Sequence, residues 1–273
     1  MRDMRNQVGW VVGVVIVLSI LCVAGIHSLP ATVHHEALAI GSFATSAAPR
    51  STPSTSPSVP ASVVFTGDVL LARDVERSID RFGITYPLRG MQQTATTATW
   101  VGNFEAAIAD PHIPTPNGGM RFSVATSVLP ALTVVPFSHM SLANNHTYDY
   151  GRAGYQRTAS ALQSLDITPF GDVQIGSSTV TEVAVAGGTV AVLGLSTFGA
   201  PLDWDRLSTL LTTAEARTDL QVVYIHWGEE YRDTHNQTQA AIATKLATLG
   251  VDAIIGHHPH VVQDIQMIDD TIV

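Results

Sequence analysis

The chain has 273 residues, a formal charge of −9 and a single cysteine, Cys22. One cysteine excludes an intramolecular disulfide, so the folded part of the chain has to be held by its own core. Lipid modification of Cys22 is disfavoured, because Leu21 stands where a lipoprotein signal has a small residue. The acidic balance, with a pI near 5.6, predicts no nucleic-acid partner, because no basic stripe could neutralise phosphates.

An uncharged apolar run occupies residues 8–26, and Arg2 and Arg5 precede it. At about 1.5 Å per helical residue this run approaches the thickness of a bilayer core. It exceeds the usual apolar core of a signal peptide and no A-x-A site follows, so the pattern favours an uncleaved anchor, with a cleaved signal peptide as the alternative. Because the arginines precede the run, the positive-inside rule places residues 1–7 in the cytoplasm and the body of the chain outside.

These features predict a single-pass protein of the cell membrane, or a secreted protein if the apolar segment is cleaved. Residues 27–60 are rich in Ser, Thr, Ala and Pro and contain few large apolar side chains. Such a segment cannot bury enough surface to fold, so it is expected to be a disordered or extended tether. The folded domain is expected to span residues 61–273.

The folded domain alternates apolar strands with amphipathic helices, which indicates an α/β layered fold. Strands are predicted at residues 62–66, 98–101, 137–142, 221–225 and from 251 onward. Helices are predicted at residues 73–82, 152–165 and from about 236 to 249, with Gly83 and Gly250 just past two of their ends. Gly187 and Gly188 predict a hairpin between strands 180–186 and 189–195. A last hairpin is predicted from residue 265, and its short second strand suggests that the domain is truncated there.

Polar side chains that can bind metals follow five of the predicted strands. They are Asp68, Glu105, Asn145 with His146, His226, and His258 with His260. Open α/β sheets place their binding sites at the carboxyl ends of strands, so these side chains are expected to meet. Mixed oxygen and imidazole donors suit Mn, Fe or Zn better than calcium or a structural zinc ion. So many donors predict two divalent metal ions, which a carboxylate such as Glu105 can bridge.

The motifs GD, GNFE, ANNH, HWGEE and GHHPHV, in this order, resemble the bacterial poly-γ-glutamate capsule biosynthesis (CapA-like) family, a relative of calcineurin-like metallophosphoesterases. The resemblance covers residues 61–273 and implies a four-layer α/β/β/α sandwich with a dinuclear site at the strand ends. It implies that His146 is the catalytic histidine, placed to stabilise or protonate a leaving oxygen. The implied metal ligands are Asp68, Glu105, Asn145, His226, His258 and His260, and the possible substrate-contacting or supporting residues are Asn103, Glu230 and His257.

The sequence departs from the resemblance in two places. Leu70 stands where the superfamily often has a histidine two residues after the first aspartate, which implies a weaker or differently completed metal site. His257 is interpreted as a neighbour of the ligands and not as a ligand. The family also continues past the final hairpin with a segment that is absent here, which again suggests a C-terminally truncated domain.

The first functional hypothesis is an exported, membrane-anchored, metal-dependent hydrolase of the phosphoesterase type, associated with capsule poly-γ-glutamate biosynthesis. Its substrate would be a phosphoester or an anionic polymer. The alternative is a non-hydrolytic protein that assembles or anchors poly-γ-glutamate together with a membrane synthetase. A third hypothesis is a binding module with a vestigial site. An ATP-driven ligase is disfavoured, because the chain has no G-x-x-x-x-G-K-[ST] loop.

Overall fold

The computed structural model describes residues 62–92 and 98–273. The predicted cytoplasmic segment, apolar span and tether, residues 1–60, lie outside the described residues, so the anchor and its orientation stay predictions. Across the ranges that the structure describes, no helix combines the length and apolarity needed to cross a bilayer.

The first half of the domain forms a four-stranded parallel sheet. Its strands, in both chain and spatial order, are β1 (Val63–Val69), β2 (Thr99–Phe104), β3 (Phe137–Ser141) and β4 (Thr168–Phe170). Helix α1 (Asp74–Phe82) follows β1, and helix α2 (Gly151–Gln163) lies between β3 and β4. Two 3₁₀ segments, Arg89–Met91 and Thr126–Val134, complete this half.

The second half forms a six-stranded mixed sheet. Its strands are β5 (Val180–Val185), β6 (Gly188–Ser196), β7 (Leu220–His226), β8 (Ala253–His257), β9 (Met267–Ile268) and β10 (Thr271–Ile272). The spatial order is β5-β6-β7-β8-β10-β9, with parallel pairs in the middle and antiparallel strands at both edges. Helix α3 (Trp204–Glu215) follows β6, and helix α4 (Gln237–Thr248) follows β7.

Three apolar clusters hold these elements together. One lies between the first sheet and helices α1 and α2, and the second lies between the second sheet and helices α3 and α4. The third packs the two sheets against each other, through side chains such as Val101 of β2 and Val192 of β6. The hydroxyl of Tyr224 also donates to the carbonyl of Thr66, at 2.6 Å, and so joins β7 to β1. Because both faces of each sheet are covered, the central strands are apolar along most of their length.

The structure confirms the alternating α/β pattern and every strand and helix predicted within the described residues. Strands β1 and β2 each run three residues further than predicted, and β6 and β7 each run one residue further. Asp68 is therefore the last but one residue of β1 and His226 ends β7, while His257 ends β8. For β1 the reason is pairing: Asp68 lies opposite Asn103 of β2 after a register shift. The elements missed from the sequence are β4, α3 and the two 3₁₀ segments.

Candidate metal centre

The carboxyl ends of four strands, two from each sheet, supply the donors of the candidate centre. Asp68 lies near the end of β1, and Glu105 follows β2 directly. His226 ends β7 and His257 ends β8, and the two are paired in the parallel register of those strands. The first sheet therefore contributes carboxylates and the second sheet contributes imidazoles.

Asp68, His226 and His257 form the first donor group, in which one donor atom from each residue lies within 4.8 Å of the others. The Nδ1 of His257 is 2.8 Å from Oδ1 of Asp68 and 2.9 Å from Nδ1 of His226. The Nδ1 of His226 is 3.5 Å from the same Asp68 oxygen. The amide oxygen of Asn145 lies 2.9 Å from Nε2 of His226, so Asn145 adjoins this group.

Glu105, His258 and His260 form the second donor group, within the same 4.8 Å limit. The Nε2 of His260 is 3.5 Å from Oε2 of Glu105. The groups adjoin each other, because Nε2 of His226 is 3.6 Å from Oε1 of Glu105 and Nε2 of His260 is 3.7 Å from Oδ2 of Asp68. The Nδ1 of His258 is buried and makes no hydrogen bond within the described residues. A buried imidazole nitrogen without a partner is what a metal ligand requires.

The turn after β8 holds its histidines in an unusual backbone conformation. His258 has φ +97° and His260 has φ +58°, a region that non-glycine residues rarely adopt. The backbone N–H of His258 donates to Oδ2 of Asp68 at 2.9 Å, which ties this turn to β1. Such strain persists only where the surroundings impose it, and it clusters at functional sites.

Charges and burial set the protonation of the centre. Burial would raise the pKa of the Asp68 carboxyl, but the charge of His257 and hydrogen bonds with His226 and His257 outweigh it, so that pKa lies well below its ordinary value. Burial lowers the pKa of His226 to about 3. Burial, with the charge of His260, also lowers the pKa of His258. These two imidazoles are therefore neutral near pH 7, which is the form that binds a metal.

Glu105 and His260 behave differently, because the pKa of each is raised. Burial raises the pKa of the Glu105 carboxyl. The hydrogen bond with Glu105 raises the pKa of His260. Glu230 lies close enough for its charge to act on both His258 and His260. A proton on either group would have to be released before that group could bind a cation.

His146 is paired with a carboxylate that the sequence interpretation missed. The Nδ1 of His146 lies 2.8 Å from Oδ2 of Asp149, and both side chains are largely buried. This contact places the ring proton on Nδ1 and leaves Nε2 to exchange a proton with another group. The two residues are three positions apart in the turn after β3, but this spacing alone does not predict that their side chains meet.

A chain of buried amides connects Asp68 to the His146 turn. Asn103 donates from Nδ2 to Oδ1 of Asp68 at 2.7 Å, and Asn144 donates to Oδ1 of Asn103 at 3.1 Å. The Oδ1 of Asn144 in turn accepts from the backbone N–H of His146 at 3.0 Å. Both asparagines are completely buried. Asn103, which the sequence left as a substrate-contacting or supporting residue, therefore supports the donor Asp68.

The structure brings the predicted donors together in two adjoining groups, but the membership of those groups differs from the sequence interpretation. His257, interpreted there as a neighbour, offers a nitrogen to the first donor group. Leu70, at the position where the superfamily often has a histidine, packs against the first apolar cluster. Phe198 was not singled out in the sequence, yet its ring lies 4.4 Å from that of His258 and 5.5 Å from that of His226.

Comparison with known proteins places the chain in a family. Residues 62–273 match a family model described as bacterial capsule synthesis protein PGA_cap. The chain is 27% identical over 230 residues to the PGA biosynthesis protein CapA of Bacillus subtilis (strain 168), a match that covers 78% of this chain and 60% of that protein. It is 27% identical over 224 residues to the capsule biosynthesis protein CapA of Bacillus anthracis, covering 74% of this chain and 54% of that protein.

The chain thus spans somewhat more than half the length of these two relatives. Among solved structures, it is similar to a hypothetical protein from Thermus thermophilus, with a TM-score of 0.51 and 17% identity, covering 77% of this chain and 73% of that one. This likeness concerns the fold alone. With the family model matched from β1 to the last described strand, the chain belongs to the bacterial capsule synthesis protein family PGA_cap.

Proposed function

We propose that the chain is an exported, membrane-anchored, metal-dependent hydrolase of the metallophosphoesterase type that acts in poly-γ-glutamate capsule biosynthesis. The observation that carries this proposal is the convergence of carboxylate and imidazole donors from both sheets beside the His146–Asp149 pair. The three apolar clusters support a four-layer α/β/β/α sandwich, with helices outside and sheets inside. The anchor is the apolar segment at residues 8–26, with the domain outside the cytoplasm.

The donor set fits two divalent cations. Asp68, His226 and His257, with the amide of Asn145, would hold one, and Glu105, His258 and His260 would hold the other. Carboxylate, imidazole and amide donors suit Mn, Fe or Zn. When bound, the cations would supply Lewis acidity toward a phosphoryl or acyl centre and an activated water.

The other chemistry belongs to the protein's own side chains. Asp149 accepts the Nδ1–H of His146 and stabilises its protonated ring, so that His146 can give a proton from Nε2 to the departing oxygen. The amide chain through Asn103 and Asn144 holds the His146 backbone at a fixed position relative to Asp68. Phe198 packs against the rings of His226 and His258 and limits their rotation.

The experiment uses the full-length chain purified in detergent, loaded with Mn²⁺ or Zn²⁺ and assayed with a generic phosphodiester and a phosphomonoester. Glu105→Ala and His258→Ala should lose bound metal and hydrolysis together. His235→Ala is the matched control, because His235 pairs with Asp264 outside both donor groups and should keep both properties. Full hydrolysis by a metal-free Glu105→Ala/His258→Ala double variant would overturn the proposal.

A second candidate is a non-hydrolytic protein that assembles or anchors the polymer together with a membrane synthetase. The relatives named for PGA and capsule biosynthesis favour it. Here the centre would bind polymer carboxylates without cleaving a bond. Complementation of a capsule-negative deletion strain separates the two candidates, because loss of capsule with His146→Gln, which should keep its metal, supports hydrolysis and normal capsule supports assembly.

A further inference from the structure

We propose that Arg73 and Phe122 are positioning residues that hold the imidazole of His146 in its working orientation. This inference rests on the proposed hydrolytic function and adds two residues to it. Neither residue belongs to the donor groups, and neither stands in the five motifs that predicted the centre.

The aromatic ring of Phe122 lies flat against the ring of His146. Their centroids are 3.8 Å apart and their planes differ by 24°. The guanidinium carbon of Arg73 lies over the same Phe122 ring, 4.4 Å from its centroid. Two groups this close cannot share one face, so Phe122 is sandwiched between the guanidinium and the imidazole. Phe122 is 4% exposed and His146 is 6% exposed, so the imidazole has little room to turn.

Phe122 also contacts the partner of His146. Its backbone N–H donates to Oδ2 of Asp149 at 2.6 Å, and the same oxygen pairs with Nδ1 of His146 at 2.8 Å. Phe122 therefore fixes the plane of the imidazole with its ring. With its backbone N–H it also holds the carboxylate that accepts the imidazole proton. A shift of Phe122 would disturb both contacts at once.

Arg73 fixes the segment that carries Phe122. Its Nε donates to the carbonyl of Gly119 at 3.1 Å, and its Nη2 donates to the same carbonyl. Arg73 follows Asp68 by five residues, in the connection between β1 and α1. Arg73 therefore links the end of the strand that carries Asp68 to the loop of Gly119 and Phe122, and that loop contacts the His146–Asp149 pair.

The backbone at Arg73 is strained, with φ 58° and ψ −128°. Glycine adopts such a conformation freely, whereas a residue with a Cβ is destabilised there. Arginine at this position is therefore expected to contribute something that glycine lacks. The contacts with Phe122 and Gly119 are that contribution.

The test compares Arg73→Gly with Asp166→Gly in the full-length, metal-loaded protein. Asp166 also has a positive φ, 59°, but it lies after α2 and outside the contacts that hold His146. Both variants relieve backbone strain. Asp166→Gly should keep kcat and should not lower Tm. Arg73→Gly should keep its metal and KM but lower kcat by about 10- to 100-fold, as a misplaced catalytic group does.

Two further variants keep the test decisive if Arg73→Gly folds poorly. Phe122→Leu removes the ring and should lower kcat with metal content unchanged. Arg73→Lys keeps the positive charge but loses the planar guanidinium that lies over Phe122 and donates twice to Gly119. It should lower kcat less than Arg73→Gly does. Arg89→Lys is the control, because Arg89 lies over Tyr86 in a similar pair outside the centre and should leave kcat unchanged.

Nitrogen-15 NMR of the His146 imidazole in the zinc-loaded protein separates this inference from the proposed function. Wild type should show one Nδ1–H tautomer, and Arg73→Gly and Phe122→Leu should show a mixture. If wild type hydrolyses no substrate, the proposed function fails while the NMR result still tests the positioning. Wild-type kcat together with unchanged imidazole signals in both variants would overturn the inference.

Discussion

The Nδ1 of His257 lies 2.8 Å from Oδ1 of Asp68, although 189 residues separate them along the chain. This contact joins the end of β8 to the end of β1 and so connects the two sheets at the candidate centre. It also gives the first donor group a third member at a place where Leu70 is turned into the core. The group is thus completed from the second sheet and not from the residue two positions after Asp68.

His257→Gln is therefore expected to lower the metal content of the purified protein from the proposed two ions toward one, because the first donor group loses an imidazole. Elemental analysis by plasma mass spectrometry measures the stoichiometry, and His235→Gln serves as the control. Two tightly bound ions in His257→Gln would show that His257 is not a ligand.

Asp149→Asn should lower kcat by about 10²- to 10⁴-fold, the usual contribution of a positioned acid or base, while the metal content stays at the wild-type value. The reason is that an amide can present its NH2 group to Nδ1 and so favour the other tautomer of His146, and it carries no charge to stabilise the protonated ring. His146→Gln should lower kcat by a similar factor. Because the two residues act as a unit, the double variant should be little slower than either single variant. Fully additive losses in steady-state kinetics would contradict this pairing.

Metal affinity should fall as the pH is lowered, because protons on Glu105 and His260 compete with the cation. The pKa of His260 is raised, so its ring holds a proton at low pH and must release it before a cation binds. Proton release on binding should therefore be present below that pKa and disappear as the pH rises through it. His226, with a pKa of about 3, should release no proton on metal binding between weakly acidic and neutral pH.

Calorimetric titration of metal into the protein, in two buffers with different ionisation enthalpies, counts the released protons. His235→Gln should leave that count unchanged, because His235 lies outside the centre. A count of zero at every pH across the weakly acidic to neutral range would show that Glu105 and His260 hold no exchangeable proton.

Gly256→Ala should destabilise the fold by about 1–3 kcal/mol, the usual cost of overpacking. A Cβ at this position would collide with the indole Nε1 of the buried Trp227. The same Cβ would lie only 3.1 Å from Cε2 of Trp227. Urea unfolding measures the change. Gly90→Ala is the control, since a Cβ there meets nothing within 4 Å, and it should be neutral or stabilising by up to about 1 kcal/mol. Equal stability of the two variants would show that Trp227 can move aside.

Much of the centre could be predicted because its donors follow apolar strands, and the carboxyl ends of parallel strands meet at one edge. His226 and His258 were found in this way. The pairing of His146 with Asp149 depends on side-chain rotation, which no spacing records. The orientation of the His257 side chain depends on where β8 ends and on the positive φ of His258. The pattern of apolar residues predicts neither of these.

The missed elements have different causes. In α3, Leu207, Leu211 and Ala214 are buried at helical spacing and Asp203 caps the first turn, so the signal was present in the sequence. Strand β4 is only three residues long and contains Pro169, so it exists because it pairs with β3. Local sequence preference alone would not have placed a strand there.

Because the donors are divided between the two sheets, neither half of the domain carries a complete set of ligands. Asp68, Glu105 and Asn145 come from the half that ends with β4, and the four imidazoles of the two groups come from the half that begins with β5. A polypeptide severed between those strands would yield two pieces, each with an incomplete set of ligands. Tight binding of the proposed cations would return only when the pieces dock, so bound metal would indicate that both halves are assembled.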